Sequence, residues 1–572
     1  MGIYAERKIG IWTCAAVMTA AFAALYGVWM FVGPELIRIE VNYAAAAAEL
    51  DPGKPLPMTI HGWSTPECMP FLPIAARLLC DLIGLPMESA LRGMSIVMLG
   101  AGAVLVYLAA GSRHSPRAGT VAAAMYLSCF LSLGTAIEGT PATANAFFLG
   151  AAQLLFFFFG IRRSDWNRAW ISSALLVTLG FLSGGFMVLV FFVLPMFFFR
   201  RPLSVSSKFR RPGFAAAVVI VVLAVLLWSG SFSTSPRQVS VYDMWWRQLS
   251  EVSLEWRMLT FPFGVIFWML PWSLIAWMPF CEALQSLDRT PIYSRYLRTL
   301  VFTSLALLWL LPEMGRYGLF YALVPLSVLT GRFYESGVRR YGIKLRRFMV
   351  IEEIFMAVVP LAIAAGCFLP VVWLEKFVSV EHSLNFRQAA YFPTAALVMM
   401  TAALLLAFYV HWGREREPVW MVILMASVAS ALFMNGLLFP YKSQDRSKRK
   451  LGSDVRRAMG GASSGRKLYT RNIRNLTGGL FYSKVSIYRL GPEEELPEGE
   501  EEIYLLSGEK YPQSSGDNRY IWDNLLSDDY DYNGHPLRLW KGRPSRLRQT
   551  PAETSDGAVD QNSSTKEKPG EK

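Results

Sequence analysis

The sequence is short of charge. Of its 572 residues, 17% are Asp, Glu, Lys or Arg, against 53% that are hydrophobic. A soluble globular chain carries about 25% charged residues, so this composition excludes an ordinary soluble protein. Histidine is scarce, with five in the chain, and His61 has no partner at metal-ligand spacing. The six cysteines, Cys14, Cys68, Cys80, Cys129, Cys281 and Cys367, form no Cys-x-x-Cys pair. That removes a zinc ribbon or a disulfide framework as the organising principle. Cys68 and Cys80 share one loop and can pair only if it faces an oxidising space; the alternative is buried free thiols. No repeat of solenoid period is present. The small-residue runs LGAGAV and AGTVAAAM lie inside apolar segments, where they serve helix packing rather than phosphate binding. The first apolar stretch is too long for a removable signal and no small-residue cleavage site follows it. No cofactor is read from these residues, and a divalent metal is left open.

The charge that is present leans one way, with 56 Lys and Arg against 43 Asp and Glu, a formal net charge of +13. No basic, aromatic-interleaved module accompanies it, so nucleic acid is not an expected partner. The arginines sit in short loops between apolar segments instead. Those segments fall at 9–33, 91–111, 118–135, 141–161, 169–184, 186–199, 213–231, 262–285, 297–312, 317–335, 350–374, 389–411 and 418–439. In lipid they must be helices. With Arg7 and Lys8 inside, alternate loops such as SRHSPR, RRSDWNR and GRFYESGVRRYGIKLRR are Arg-rich, and the opposite set is poor in positive charge. The alternation holds only if Ser183-Gly184-Gly185 is a turn, which gives about thirteen spans. It places the N-terminus in the cytoplasm, and the first long loop and the tail outside. The basic run 442–474 would by itself favour a cytoplasmic tail, but long domains cross largely regardless of charge.

After residue 440 the chain turns polar. Residues 466–471, 484–489, 502–506 and 536–541 read as short strands, with helix at VRRAM and ahead of LFYSK. PEEELPEGEEE is a solvated acidic connection. The expected organisation is an all-α polytopic membrane unit at 1–440, with an outer loop at 34–90. A small extracytoplasmic α/β domain at 441–550 and a disordered tail at 551–572 follow it.

Loop 34–90 holds most of the chemistry. Acids beside a membrane span are costly to keep there and usually have a task, and Glu35, Glu40 and Glu67 sit in this loop among proline and aromatic anchors. In pattern, Glu40 precedes Tyr43-Ala44 by three residues, and Pro66-Glu67 and Pro70 lead into an apolar helix. Further on come YLSCFLSLGTAIEGTPATANAFF (126–148), LGFLSGGFMVLVFFVLP (179–195), FGVIFWMLPW (263–272) and PEMGRYGLFYALVPL (312–326). In this order the stretches resemble the GT-C class of integral-membrane glycosyltransferases, in the branch of the bacterial aminoarabinose transferases and protein O-mannosyltransferases. The resemblance implies a polyprenyl-phosphate-linked sugar donor, a lipid, glycan or protein acceptor, and a site facing away from the cytoplasm, in a bacterial inner membrane. The chain departs from the family pattern at four places. The family's Asp-Glu pair before the tyrosine is Ile39-Glu40 here, and its Asp in the second outer turn is Thr140. Its lysines after the loop glutamate and in the broken helix pair are replaced by Cys68 and Gly184.

Glycosyl transfer needs a base near the acceptor oxygen and stabilisation of the departing phosphate. Glu40 is the expected base, against an alternative as an exposed helix acid. Glu35 and Glu138 are the other catalytic candidates, Glu35 standing also as an interface marker after Pro34. Glu67 would orient the acceptor or brace the loop, or simply favour a helix N-terminus. Arg316 would bind the lipid phosphate or snorkel to headgroups. Tyr317 and Tyr321 would line the binding site or belong to the interfacial belt. A transporter or flippase of lipid-linked material is the competing reading, disfavoured because the acids gather at one face rather than mid-span. A non-catalytic relative of the transferases is the third.

Overall fold

The computed structural model describes residues 35–337 and 448–544, each with internal gaps, and Tyr26, Gly27 and Met30 ahead of them. The expected spans at 350–374, 389–411 and 418–439, and most of 9–33, lie outside the described residues. The membrane unit begins with α1 (Ile39–Ala48), α2 (Phe71–Ile83) and α3 (Met87–Gly111), followed by α4 (Pro116–Ser128), α5 (Phe130–Thr135) and α6 (Ala142–Phe156). α7 (Trp166–Gly184), α8 (Phe186–Phe198), α9 (Pro212–Ser233), α10 (Trp256–Met269), α11 (Pro291–Leu310) and α12 (Gly315–Gly318) continue it, and 320–334 is helical. Among the described residues, Met87–Gly111, Ala142–Arg162 and Pro212–Phe232 are long and apolar enough to cross a membrane.

Local chemistry sets the breaks. Asp165 caps α7 by accepting from the Arg168 N–H at 3.2 Å, one of the donors a helix start leaves unpaired. Gly185 ends it at φ 73°, ψ −160°, a conformation essentially confined to glycine. The turn expected at Ser183–Gly185 is therefore where one helix stops and the next begins. The expected single span 262–285 is corrected. Helix α10 ends at Met269, and only short turns follow, at Ser273–Ala276, Met278–Phe280 and Glu282–Gln285. Pro271 and Pro279 lack the N–H that would continue the ladder. The interruption is filled by packing, since Trp272 is fully buried. Its indole N–H donates to Ser128 Oγ at 2.8 Å, and the Phe130 N–H donates to the Leu270 carbonyl at 2.8 Å. Both contacts fall at the joint between α4 and α5, which splits the span expected at 118–135. Small residues bring α3 and α4 together: a Cβ on Gly119 would lie 2.7 Å from the Tyr107 carbonyl oxygen. Cys68 and Cys80 are free thiols.

The C-terminal unit carries a five-stranded sheet. A short hairpin in the first loop supplies β1 (Thr59–Ile60) and β2 (Trp63–Ser64). The sheet is built from β3 (Lys467–Arg471), β4 (Ser486–Arg489), β5 (Ile503–Ser507), β6 (Tyr520–Asn524) and β9 (Arg538–Pro544), with β7 (Asp531–Tyr532) and β8 (His535–Pro536) as a separate pair. The order is β4-β3-β5-β9-β6, parallel from β4 to β5 and antiparallel around β9. β6 had no counterpart in the sequence reading. Helices α13 (Lys448–Ala458) and α14 (Thr477–Ser483) pack together, with Leu451, Val455 and Leu480 in the domain core.

This domain docks on the first loop. The Tyr482 hydroxyl accepts from the Leu36 N–H at 2.9 Å, Arg449 pairs with Glu88 at 2.7 Å, and the Arg489 N–H donates to the His61 carbonyl at 3.1 Å. Phe481 packs against the apolar cluster that α1 forms with Leu72, Ala76 and Leu91.

Candidate active site

An alanine run makes α1 a ready helix, and lets it sink among its neighbours: Ala44 to Ala47 are all buried. The chain then passes the β1–β2 hairpin. Here His61 holds φ 55°, and its N–H donates to Glu49 Oε1 at 2.7 Å. The turn at 65–69 returns it to α2. Between this loop and the outer helix ends lies a cavity of about 290 Å³. Helix α1 contributes Ile39, Asn42 and Tyr43 to its wall, and the 65–69 turn contributes Glu67 and Cys68. Thr140 and Asn145 come from the second outer turn and the start of α6, Gly184 from the end of α7, and Tyr317 and Tyr321 from beyond α11.

A buried ion pair and a partly buried one stand beside the cavity. Glu40 is 2% exposed, accepts from the Gly139 N–H and lies 3.8 Å from Arg92 Nη2, itself buried. Glu138 accepts from Arg316 Nη2 and, at 2.8 Å, from the Tyr317 hydroxyl. The Arg316 guanidinium also lies over Trp268, 5.5 Å from its ring centroid. Burial pushes the Glu138 carboxyl up to about 7, and the charge on Glu40 adds to the rise; Arg316 and Tyr317 oppose it.

The structure thus brings Glu40, Glu138, Arg316 and Tyr317 to one edge of the cavity. Glu67, Tyr317 and Tyr321 line it. Of the three acids read as catalytic, none is in the lining. Glu40 is buried rather than exposed, and its neighbour Ile39, not Glu40, is in the cavity lining. Glu35 lies at the junction with α13, its Oε2 3.4 Å from the Arg449 backbone N–H. Tyr321 is buried and stacked on Phe191 at 4.3 Å between centroids, a packed wall residue rather than an interfacial belt one. Arg92 and Asn145 were not singled out from the sequence. The available signal was a charged and an amide side chain just inside apolar segments, where polar groups are expensive. Among the described residues no three His, Cys, Asp or Glu side chains gather as a metal site.

Residues 65–228 match the family described as dolichyl-phosphate-mannose-protein mannosyltransferase. The fold is similar to that of ArnT from Cupriavidus metallidurans, in a crystal structure bound to undecaprenyl phosphate. The TM-score is 0.69 at 14% identity over 92% of this chain and 97% of that one. The apo state of ArnT gives 0.68 at 15% identity over the same shares. The apo oligosaccharyltransferase of Archaeoglobus fulgidus gives 0.47 at 12% identity, over 85% of this chain and 65% of that one. No curated protein sequence matches. The resemblance to GT-C membrane glycosyltransferases read from the sequence holds at the level of the fold.

Proposed function

We propose that this protein transfers a sugar from a polyprenyl-phosphate-linked donor to a lipid, glycan or protein acceptor at the extracytoplasmic face. One observation carries the reading. The cavity is reached by a carboxylate, Glu67, and edged by a cation, Arg316, which lies between the lining residues Met314 and Tyr317, on a fold shared with a protein crystallised with undecaprenyl phosphate.

In this scheme Glu67 accepts the proton of the acceptor hydroxyl as its oxygen bonds to the anomeric carbon. The bond from that carbon to the phosphate oxygen breaks, and the polyprenyl phosphate leaves with the electron pair. Arg316, whose guanidinium has N–H donors beyond the one given to Glu138, stabilises its developing charge, and Tyr317 helps hold Glu138 beside it. Glu40, the base expected from the sequence, becomes a positioning residue: its carboxylate fixes the Gly139–Thr140 turn and is itself held by Arg92. Glu35 is assigned to the domain junction.

The topology belongs to the same proposal. Contacts between Leu36 and Tyr482 and between Glu88 and Arg449 support a tail on the same side as the first loop. An even number of crossings then separates them, in keeping with about thirteen spans, a cytoplasmic N-terminus and an inner-membrane location. The test is an in-membrane assay offering purified protein a panel of polyprenyl-phosphate sugars with candidate acceptors, read by mass spectrometry. Transfer from at least one donor is expected; none from any donor, with polyprenyl phosphate unbound, overturns the reading.

A further inference from the structure

The C-terminal domain meets the rest of the chain through a helix whose exposed face is cationic. Helix α13 reads KRKLGSDVRRA, with Asp454 as its one acid. Leu451 and Val455 are buried in the domain core, and Gly452 lets α14 close in, since a Cβ there would lie 2.6 Å from the Tyr482 backbone carbon. Arg449, Lys450, Ser453, Arg456 and Arg457 are exposed. At 3.6 residues per turn these five positions fall within an arc of about 120°.

Two contacts fix the height of this helix. The Arg449 guanidinium pairs with Glu88 Oε2 at 2.7 Å, and its backbone N–H donates to Glu35 Oε2 at 3.4 Å. Glu88 lies in the first turn of α3, which is long and apolar enough to cross a membrane. Glu35 stands just past the apolar segment 9–33. Both acids mark the level at which an apolar segment gives way to polar chain, and α13 starts there. Helix α2 leads into α3 through Gly84 and exposes Leu78, Leu82 and Ile83 near that end. Large apolar side chains exposed beside the end of a span belong at a lipid surface rather than in water.

The chemistry of the arc narrows what covers it. A protein interface has an apolar or aromatic centre depleted of lysine, and this face carries four cations and a serine. Single-stranded nucleic acid needs aromatic platforms between the cations. A layer of lipid phosphates needs neither, and it runs along the level set by Glu35 and Glu88. The acids nearby do not cancel the charge: the helix has five Lys and Arg, against Asp454, which lies 3.7 Å from Arg457, and the two acids at Arg449.

We infer that the exposed face of α13 binds anionic phospholipid headgroups of the bilayer around α3, and so anchors the C-terminal domain over the first loop. This rests on the membrane placement proposed above, and not on sugar transfer.

The test uses the full chain carrying Ser453→Cys, in nanodiscs of phosphatidylcholine alone or with about 30% phosphatidylglycerol. Residue 453 lies mid-arc. The rate at which an uncharged maleimide modifies it is read by peptide mass spectrometry, which separates it from the native cysteines. Each cation near an anionic surface is worth roughly fivefold, so labelling should be at least about fivefold slower in the anionic discs. The difference should vanish in about 0.5 M salt, where the Debye length is roughly 4 Å. Combining Lys450→Glu, Arg456→Glu and Arg457→Glu leaves Arg449 and the junction in place, and should label equally in both discs. Combining Lys450→Arg, Arg456→Lys and Arg457→Lys keeps the charge and should stay shielded. Equal labelling of the wild-type arc in the two bilayers overturns the inference; if both rates are slow, protein covers the face instead. Shielding that persists in the triple Glu variant, or is lost in the charge-keeping one, overturns it too. A chain recovered outside the discs overturns the membrane placement and this inference with it. A failed sugar-transfer assay leaves this inference standing, since no donor enters the experiment.

Discussion

Replacing Arg92 with methionine would take away the cation beside the buried Glu40 carboxylate, which still accepts from the Gly139 N–H. Both side chains of the pair are almost wholly buried, 4% and 2% exposed, and their charges lie 3.8 Å apart. At an effective dielectric constant of about 20, unit charges at that separation attract by about 4 kcal/mol. Removing one partner of a buried pair typically costs about 3–5 kcal/mol, because the other charge stays desolvated and uncompensated. The expected loss is therefore about 4 kcal/mol of stability. Combining Arg92→Met with Glu40→Gln removes both charges, and the glutamine oxygen can still accept from the Gly139 N–H. The double variant should recover most of the loss. Unfolding of purified protein in detergent, followed by denaturant titration, reads all three. The reasoning fails if Arg92→Met lies within about 0.5 kcal/mol of wild type, the range of an ordinary surface change, or if the double variant is no more stable than the single one.

Glu138 supplies a pH dependence. Its folded value of about 7 lies above the usual 4.5, so the folded protein holds the proton more tightly than the unfolded chain. The stability from that proton is full below about pH 4.5 and is lost as pH rises toward 7; Glu138→Gln should flatten this slope in a stability titration. In the same window protonation releases Arg316, so a phosphodiester sugar donor should bind more tightly at pH 6 than at pH 8 in the wild type and equally in Glu138→Gln. Arg316→Ala in the Glu138→Gln background, where no buried acid is stranded, should weaken donor binding about tenfold or more with near-normal folding; equal losses of folded protein and binding would make Arg316 structural. Tyr482→Phe removes the acceptor for the Leu36 N–H and should speed proteolysis of the first loop while the sheet domain stays intact. Unchanged loop cleavage would show that this contact does not hold the domain in place.

Much of the architecture is legible because membrane constraints are coarse and strong. Arg-rich loops alternate with poor ones, and Ser183-Gly184-Gly185 ends a helix where the alternation requires it. Strands near 467, 486, 503 and 538 announce themselves by short β-branched and aromatic runs between turn residues. The strand YIWDN escaped because Asp and Asn disfavour strands and their weight masked the alternation. The helix turn-by-turn phase of the site was not legible. Helix α1 is alanine-rich and buried on nearly every side, so its sequence carries no polar face to say whether Ile39 or Glu40 meets the cavity. The proline break after Met269 was visible as Pro271, yet the apolar residues beyond it read as one continuous span. Arg92 acts through a partner far away in sequence, Glu40, and Asn145 meets the cavity beside distant residues, which no local pattern reveals.

The most direct test of the account compares Glu67→Gln and Glu40→Gln in single-turnover sugar transfer from a polyprenyl-phosphate donor. Loss of a general base costs about 10²- to 10⁴-fold in rate. The account predicts a fall of that size for Glu67→Gln with donor binding retained. For Glu40→Gln, which keeps the Gly139 hydrogen bond, it predicts a fall of no more than about tenfold. Unchanged transfer by Glu67→Gln, alongside a collapse in Glu40→Gln, would contradict it and return the base to Glu40.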